Sequence, residues 1–464
     1  MKRTSKQTQP SLSRGLWPAV LIAGSILAAH GGGGADRSYH LRAVSYIGAP
    51  APGGGLFAND FEPTRLNNRG QLAFTAEPDP IGGEAVFLAT SDGIQQMMRY
   101  GQSAPGTGLS FATFELGSLG LNEAGEVALA FTLGSPPDFA PDFGPPTIGA
   151  VYRWSPETQA LSPVVVPNVT AVPGGGLFRG VYFNASLNNR GDLAFTGFVD
   201  TDTGPNYGTF VQDRSGTIRS IVRPGDPAPA GATFIFAGNP AVINDRGDVI
   251  FEGHTTADPA ADINDVFVKR HGASGAELVP RPTGVVQEAN LFINNDGEVA
   301  FGGSVAAYPD QLGIGSVYYR RGGNPTAVVS IGDAAPGGGH FNNIPGASIG
   351  EQLSFNNRGE IAFSAATDTG DEAMYLYSSD RHTLRRVAGI GTVVMPGWTI
   401  LSLEQTGVQV YPPPAGTFSG IPVCGVALND WGQIAFAASV TDGQTVRGML
   451  LLATPNDADA GHKQ

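Results

Sequence analysis

The sequence predicts an all-β protein, a seven-bladed β-propeller of four-stranded antiparallel blades that is closed by its N-terminal strand. Three observations lead to this prediction. The phrase Asn-x-x-Gly-x-x-Ala-Phe, or a close variant, occurs seven times, and four short strands can be placed around each copy. The strand that the last copy lacks is present near the start of the chain. The copies begin at Asn67, Asn122, Asn188, Asn244, Asn294, Asn356 and Asn429, and such a period indicates a repeat architecture.

Each phrase predicts a tight β-hairpin. In LNNRGQLAF (66–74), the Asn side chain can bond backbone amides just ahead of it, and Gly70 can adopt a positive φ. The returning strand alternates small apolar and variable residues and carries a large apolar anchor such as Phe74. We expect these anchors to be core residues: Phe74, Leu129, Phe195, Phe251, Phe301, Phe363 and Phe436.

Four strands, A to D, can be read in each unit, with the Asn-x-x-Gly turn between A and B. The last copy supplies strands A, B and C but stops before D, whereas YHLRAVSYIG (39–48) near the N-terminus is a strand without a unit. The segment that follows it, IGAPAPGGGLF (47–57), closely matches IGDAAPGGGHF (331–341), which follows a D strand. We therefore expect residues 39–455 to form one closed ring of seven blades, because radial packing buries both faces of every sheet.

The two ends of the chain differ from the repeats. Basic residues precede a short apolar stretch (16–29), so residues 1–31 predict a secretory signal peptide, with an uncleaved signal anchor as the alternative. Residues 32–38 read as a flexible Gly-rich linker, and residues 456–464 as a polar tail. His30 stands where a bacterial lipoprotein signal would carry its lipidated Cys, so no lipid anchor is expected.

Charge and cysteine content exclude several kinds of partner and bond. The formal charge is −14, and loss of the four basic residues of the signal would make it −18 (−14 − 4). This balance argues against nucleic acid and anionic membranes as partners, and no membrane insertion is expected apart from a signal anchor. Cys424 is the single Cys, so no internal disulfide can form; we expect it to be a small buried residue.

The seven copies of Asn-x-x-Gly-x-x-Ala-Phe resemble a bacterial exported family that is named for this tandem repeat and whose members carry different surface anchors. The resemblance implies an exported repeat protein that is periplasmic, on the cell surface or extracellular. It implies no established activity. The chain departs from the family pattern in lacking both the lipobox Cys and a C-terminal sorting helix.

Motifs of known enzymes give little support for catalysis. No H-E-x-x-H, P-loop or Cys/His ligand spacing is present. Residues 346–350 match the G-x-S-x-G nucleophile elbow, but that elbow requires a strand-to-helix turn, whereas Ser348 falls in a predicted A strand. We therefore predict that Ser348 is not a nucleophile, and we name no catalytic residue.

Acidic loops between strands B and C form the candidate site. Loops on an antiparallel sheet alternate between its two ends, so the B–C and D–A loops should share one face and the Asn-x-x-Gly turns the other. Two B–C loops have the oxygen density of a weak Ca²⁺ site, DTDTG (200–204) and DTGDE (368–372). Their candidate ligands are Asp200, Asp202, Asp368 and Asp371; the alternative is that these are ordinary turn residues. No other cofactor is expected.

Together these features predict an exported, non-catalytic propeller that binds or scaffolds. The partner would be a protein or a cell-envelope glycan, and we expect a monomer. The alternative is a propeller enzyme of the lyase or glycosidase type, with carboxylates from several blades forming its site. Two buried carboxylates with different pKa values would favour the enzyme, whereas a solvated acidic rim would favour binding.

Overall fold

The computed structural model describes residues 38–79, 83–112, 119–134, 148–201, 204, 206–257, 264–305, 315–344, 353–403, 409–410 and 425–456. Within these ranges the chain forms seven small antiparallel sheets, which confirms the predicted seven-bladed propeller. The described part contains a single helical segment, a 3₁₀ turn at Pro229–Gly231. No helix in it is long and apolar enough to cross a membrane.

Blades one, three, four and five are regular, with strands A to D neighbouring one another in chain order. Their strands are Leu56–Leu66, Leu72–Asp79, Ala85–Thr90 and Gly93–Arg99; Gly180–Leu187, Leu193–Val199, Asn206–Gln212 and Ile218–Val222; Phe234–Ile243, Val249–Thr255, Asp265–Lys269 and Glu277–Val279; and Val285–Ile293, Val299–Val305, Gly315–Arg320 and Thr326–Ser330.

In blades two and six, strand A consists of two short segments that both pair with strand B. The strands of blade two are Ser110–Phe111 with Gly120–Leu121, Val127–Gly134, Ile148–Ser155 and Ala160–Val165. Those of blade six are Phe341–Asn343 with Leu353–Phe355, Glu360–Thr367, Glu372–Ser378 and Thr383–Gly389.

Blade seven joins the two ends of the chain, as predicted. Its strand D is the N-terminal strand Tyr39–Tyr46, which pairs with strand C, Thr445–Pro455, from Tyr39 opposite Pro455 to Tyr46 opposite Met449. Strand B is Ile434–Thr441, and strand A consists of Trp398–Ser402 with Val426–Leu428. Two further short strands, Val393–Met395 and Gln409–Val410, pair with strands A and C and were not predicted from the sequence.

Seven apolar clusters form the core, one at each interface between neighbouring blades. The Ala-Phe pair of the repeat explains how they pack. Phe74 faces blade seven while Ala73 faces blade two, and Phe363 and Ala362 likewise face opposite neighbours. Successive residues of a strand point to opposite faces, so each interface sets a large side chain from one blade against a small one from the next. All seven predicted anchors are fully buried.

Candidate binding surfaces

The first Asn of each repeat is buried, and at Asn356 its side chain makes hydrogen bonds both within its own turn and to the next blade. Asn356 accepts from the backbone N–H groups of Arg358 and Glu360 at 3.0 and 2.9 Å, which confirms the predicted turn. Its Nδ2 donates to the Glu360 side chain at 2.9 Å and to the backbone carbonyl of Asn429, in the next blade, at 3.0 Å. All four hydrogen-bonding positions of this side-chain amide are therefore used within the protein.

The contact to the next blade recurs around the ring. Asn67, Asn122, Asn188 and Asn244 each donate to the corresponding carbonyl of the following blade, and Asn429 donates back to Asn67 at 3.0 Å. The turn Asn therefore shapes its own hairpin and also holds neighbouring blades together.

The second residue of each turn forms a closed ring of hydrogen bonds. Its backbone N–H donates to the side-chain oxygen of the same position in the next blade, at 2.7–2.8 Å in all seven blades. The ring closes where the Asp430 N–H donates to Asn68 Oδ1. Its members are Asn68, Glu123, Asn189, Asp245, Asn295, Asn357 and Asp430. Every one carries a side-chain oxygen, and this is the sequence signal from which the ring could have been found.

These side chains surround a cavity of about 170 Å³ on the axis. The cavity is also lined by the residue before each turn Asn, which is Leu, Ile or Phe in every blade. Around the ring, each acidic side chain lies between two Asn side chains, so no two carboxylates are adjacent. Asp245 and Asp430 each accept hydrogen bonds from the side-chain amides of the Asn residues on both sides. Because these polar groups are hydrogen-bonded to one another, we interpret the turn face as the end of the ring that holds neighbouring blades together.

Three of the predicted calcium residues, Asp200, Asp368 and Asp371, lie on the opposite end, the loop face, and their carboxylates have partners from the protein itself. Asp200 forms an exposed ion pair with Arg179 at 3.0 Å. Asp371 accepts two bonds from Arg386 at 2.8 Å, and Asp368 accepts from the backbone N–H of His340 at 2.8 Å. Asp202 lies outside the described residues.

The contact of Asp368 with His340 joins a B–C loop to a D–A loop, as the prediction that both share one face requires. The backbone bond from His340 is the main cause that lowers the pKa of Asp368, followed by the His340 side chain. Asp442, in the B–C loop of blade seven, has a lowered pKa because it accepts from the backbone N–H groups of Thr445 and Gln444. Both carboxylates are therefore ionised at neutral pH.

Within the described ranges, no group of three or more His, Cys, Asp or Glu side chains has the arrangement of a metal site. The calcium sites thus stay a prediction. Three further sequence-based predictions, for Ser348, for Cys424 and for the signal at residues 1–31, lie outside the described residues.

A second acidic group, which the sequence did not reveal, lies in blade one. The pKa of Glu84 is raised to about 8, mainly by burial and in addition by the nearby charges of Glu62 and Glu77. Glu84 Oε2 is buried and has no hydrogen-bond partner, whereas Glu77 accepts from the Asn59 side chain. Glu84 is therefore protonated at neutral pH beside other carboxyl groups. Its position directly before strand C gave no sign of burial in the sequence.

Comparison with protein families gives one match that covers most of the chain. The Family of unknown function (DUF7453) matches residues 35–268 and 293–410. The chain belongs to this family. This match does not confirm the resemblance to the exported Asn-x-x-Gly-x-x-Ala-Phe family. No curated protein matches the chain.

Solved structures with a similar arrangement are distant in sequence. An oligogalacturonate lyase in complex with manganese is 12% identical, with 91% of this chain and 99% of that chain covered and a TM-score of 0.46. An ulvan lyase of polysaccharide lyase family PL25 is 10% identical, with 88% and 96% covered and a TM-score of 0.43. The Pyrococcus horikoshii acylaminoacyl peptidase is 11% identical, with 84% and 52% covered and a TM-score of 0.43. Likenesses of this degree say nothing about the activity of this chain.

Proposed function

We propose that this protein is an exported, non-catalytic propeller that binds a cell-envelope glycan or a protein partner through its loop face. The observation that carries the proposal is a difference between the two ends of the blades. At the turn face the same interval separates strands A and B, as between Leu66 and Leu72 or Ile293 and Val299, and the same hydrogen bonds recur. We therefore assign the uniform turn face a structural role, which is to hold the blades together.

The loop face varies from blade to blade. Between strands B and C the chain passes through residues 80–84 in blade one, 135–147 in blade two, 306–314 in blade five and only 442–444 in blade seven. Binding residues are commonly carried on loops that a rigid scaffold positions. The variable end is therefore the surface on which a ligand can be selected without altering the ring.

Exposed polar pairs on this face support binding over catalysis. Asp200 and its partner Arg179 are both more than half exposed, and so are Asp368 and His340. Such solvated pairs resemble a polar interaction surface more than a water-excluding active site. We further propose export through residues 1–31, a monomeric state and weak Ca²⁺ binding by the loops at 200–204 and 368–372.

A second candidate function is supported by Glu84. A carboxyl group that is protonated at neutral pH can act as a general acid, and a nearby carboxylate can act as its basic counterpart. Glu84 with Glu62 or Glu77 could supply this pair in a lyase or glycosidase. All three belong to blade one, however, whereas the enzyme hypothesis expected carboxylates from several blades.

One experiment separates the two functions. The purified protein is incubated with insoluble cell-envelope polysaccharide and with soluble acidic and neutral polysaccharides, and both the retained protein and the released reducing ends or unsaturated sugars are measured. Saturable retention without product formation supports the binding propeller. Products that appear with the natural chain and vanish with Glu84→Gln, but not with the exposed control Glu157→Gln, support the enzyme instead. Failure to retain any of these polysaccharides would count against binding of a cell-envelope glycan.

A further inference from the structure

Blade seven contains an arginine that contacts two aromatic rings on the loop face. Arg447 lies at the start of strand C, directly after the B–C loop. Its guanidinium carbon is 5.1 Å from the ring centre of Tyr46 and 5.8 Å from that of Trp398. Tyr46 comes from the N-terminal strand and Trp398 from strand A, so the cluster forms only when the ring is closed.

Arg447 has no acidic partner in the described part of the chain, unlike three other arginines of this face. Arg179, Arg281 and Arg386 form ion pairs with Asp200, Asp265 and Asp371. Among the described residues Arg447 forms no ion pair, and its Nε is buried without a hydrogen-bond partner.

The carboxylate of the adjoining B–C loop does not compensate for this. Asp442, in the preceding B–C loop, accepts from the N–H groups of Gln444 and Thr445 at 2.8 and 2.7 Å and from the Thr445 hydroxyl at 3.1 Å. Contact with aromatic rings orients a guanidinium, whose N–H donors form a rigid planar fork that suits a planar oxyanion. The fork matches a carboxylate in two parallel hydrogen bonds.

We propose that Arg447, positioned by Tyr46 and Trp398, binds a carboxylate group of an acidic ligand at the loop face. This inference rests on the proposed binding function and specifies its ligand chemistry. Stacking reduces the number of orientations that the long side chain can adopt, so less conformational entropy is lost when the ligand binds. Because the surrounding loops are acidic, the site also selects against anions that cannot form the paired hydrogen bonds.

The test uses the full chain and small probes. Sodium glucuronate and N-acetylglycine are titrated at constant ionic strength, with glucose and sodium chloride as controls, and tryptophan fluorescence and calorimetry are recorded. A single partly exposed ion pair is weak, so we expect saturation with a dissociation constant of about 1–50 mM. Whichever of the two compounds binds more tightly indicates whether the natural carboxylate belongs to a sugar or to a peptide.

Variants identify the residue that is responsible. Arg447→Lys keeps the charge but loses the planar fork, and we expect it to weaken binding about tenfold or more. Trp398→Phe keeps an aromatic ring and should retain carboxylate binding while losing the fluorescence signal. Arg246→Lys is the matched control, since that arginine lies at the turn face and is paired with Asp296 at 2.9 Å, and it should bind as the natural chain does. Near-ultraviolet circular dichroism confirms that each variant is folded.

Two results would overturn the inference. One is the absence of saturation by either acid up to about 200 mM, far above the expected range. The other is binding that Arg447→Lys leaves unchanged. If glycan or protein retention persists in Arg447→Lys, the carboxylate site is wrong while the binding function stands. If retention fails for every chain, the proposed function itself is wrong.

Discussion

Replacement of Asn356 by Ala tests whether the repeat Asn holds the ring together or only shapes its hairpin. The change removes four hydrogen bonds of a side chain that is 4% exposed. It also leaves the Asn429 carbonyl and the buried Glu360 carboxylate without one partner each. At about 0.5–1.5 kcal/mol for each bond, the loss is about 2–6 kcal/mol. A turn cap alone would account for about 0.5–2 kcal/mol.

The free energy of unfolding is measured by urea denaturation, monitored by circular dichroism and by fluorescence so that a two-state transition can be verified. Asp213→Ala is the matched control. Asp213 accepts from the N–H groups of Ser215 and Thr217 at 2.9 and 3.0 Å in an exposed turn and makes no bond to another blade. We expect a clearly smaller loss for Asp213→Ala.

A second variant separates the two roles of Asn356. Asn356→Asp keeps the acceptor for the two backbone N–H groups but cannot donate to Glu360 or to the Asn429 carbonyl, and it sets two carboxylates side by side. We expect it to destabilise the protein nearly as much as the Ala variant. The idea that Asn356 holds neighbouring blades together would be refuted if Asn356→Ala and Asp213→Ala lowered the free energy of unfolding equally and Asn356→Asp left it unchanged.

Four further outcomes are expected. Glu84→Gln should stabilise the protein increasingly as the pH rises from about 4.5 to about 8, by up to about 1.4 kcal/mol per pH unit, because the folded state binds a proton there that the unfolded state releases; a pH-independent difference in urea midpoint would contradict this. A chain that begins at Phe57 should melt lower and aggregate, since the edge of strand C of blade seven is exposed; unchanged solubility would count against closure. Gly359→Val should cost more than about 1 kcal/mol in urea denaturation, since φ is 69° there and Ser379 occupies the side-chain space, whereas a neutral effect would not fit a strained turn. Calcium should raise the melting temperature by binding to the loops at 200–204 and 368–372; an equal rise with sodium at matched ionic strength would indicate that these loops are ordinary solvated turns.

The fold could be predicted because its signals are local and repeated. Glycine at a fixed place in each turn marks a positive φ, and Gly70 and Gly359 have φ of 73° and 69°. The missing strand in the last repeat predicted the pairing of residues 39–46 with strand C of blade seven. The hydrogen-bond ring was not predicted, although its oxygen-bearing positions are visible in the sequence. Its partners lie in neighbouring repeats, so the pattern has meaning only once neighbouring blades are known to be adjacent.

The candidate sites depend on information that no local pattern contains. Acidic loops could be located from the sequence, but the arginine partners of Asp200 and Asp371 could not, because each lies on another strand or loop. Glu84 looked like any acidic residue at the start of a strand, and only burial beside Glu62 and Glu77 distinguishes it. A pKa shift arises from the three-dimensional surroundings of a group, so it cannot be recognised before the blade is assembled.

Closure of the ring links the architecture to the proposed ligand site. The N-terminal strand completes blade seven at its outer edge, and the Asn429 and Asp430 bonds to blade one complete the ring at the axis. The same closure places Tyr46 against Arg447. Loss of the N-terminal strand should therefore abolish carboxylate binding as well as stability, whereas weakening of the axial ring by Asn356→Ala should leave binding intact for as long as the protein stays folded. These two responses differ because only one of the two closures supplies an aromatic ring to the arginine.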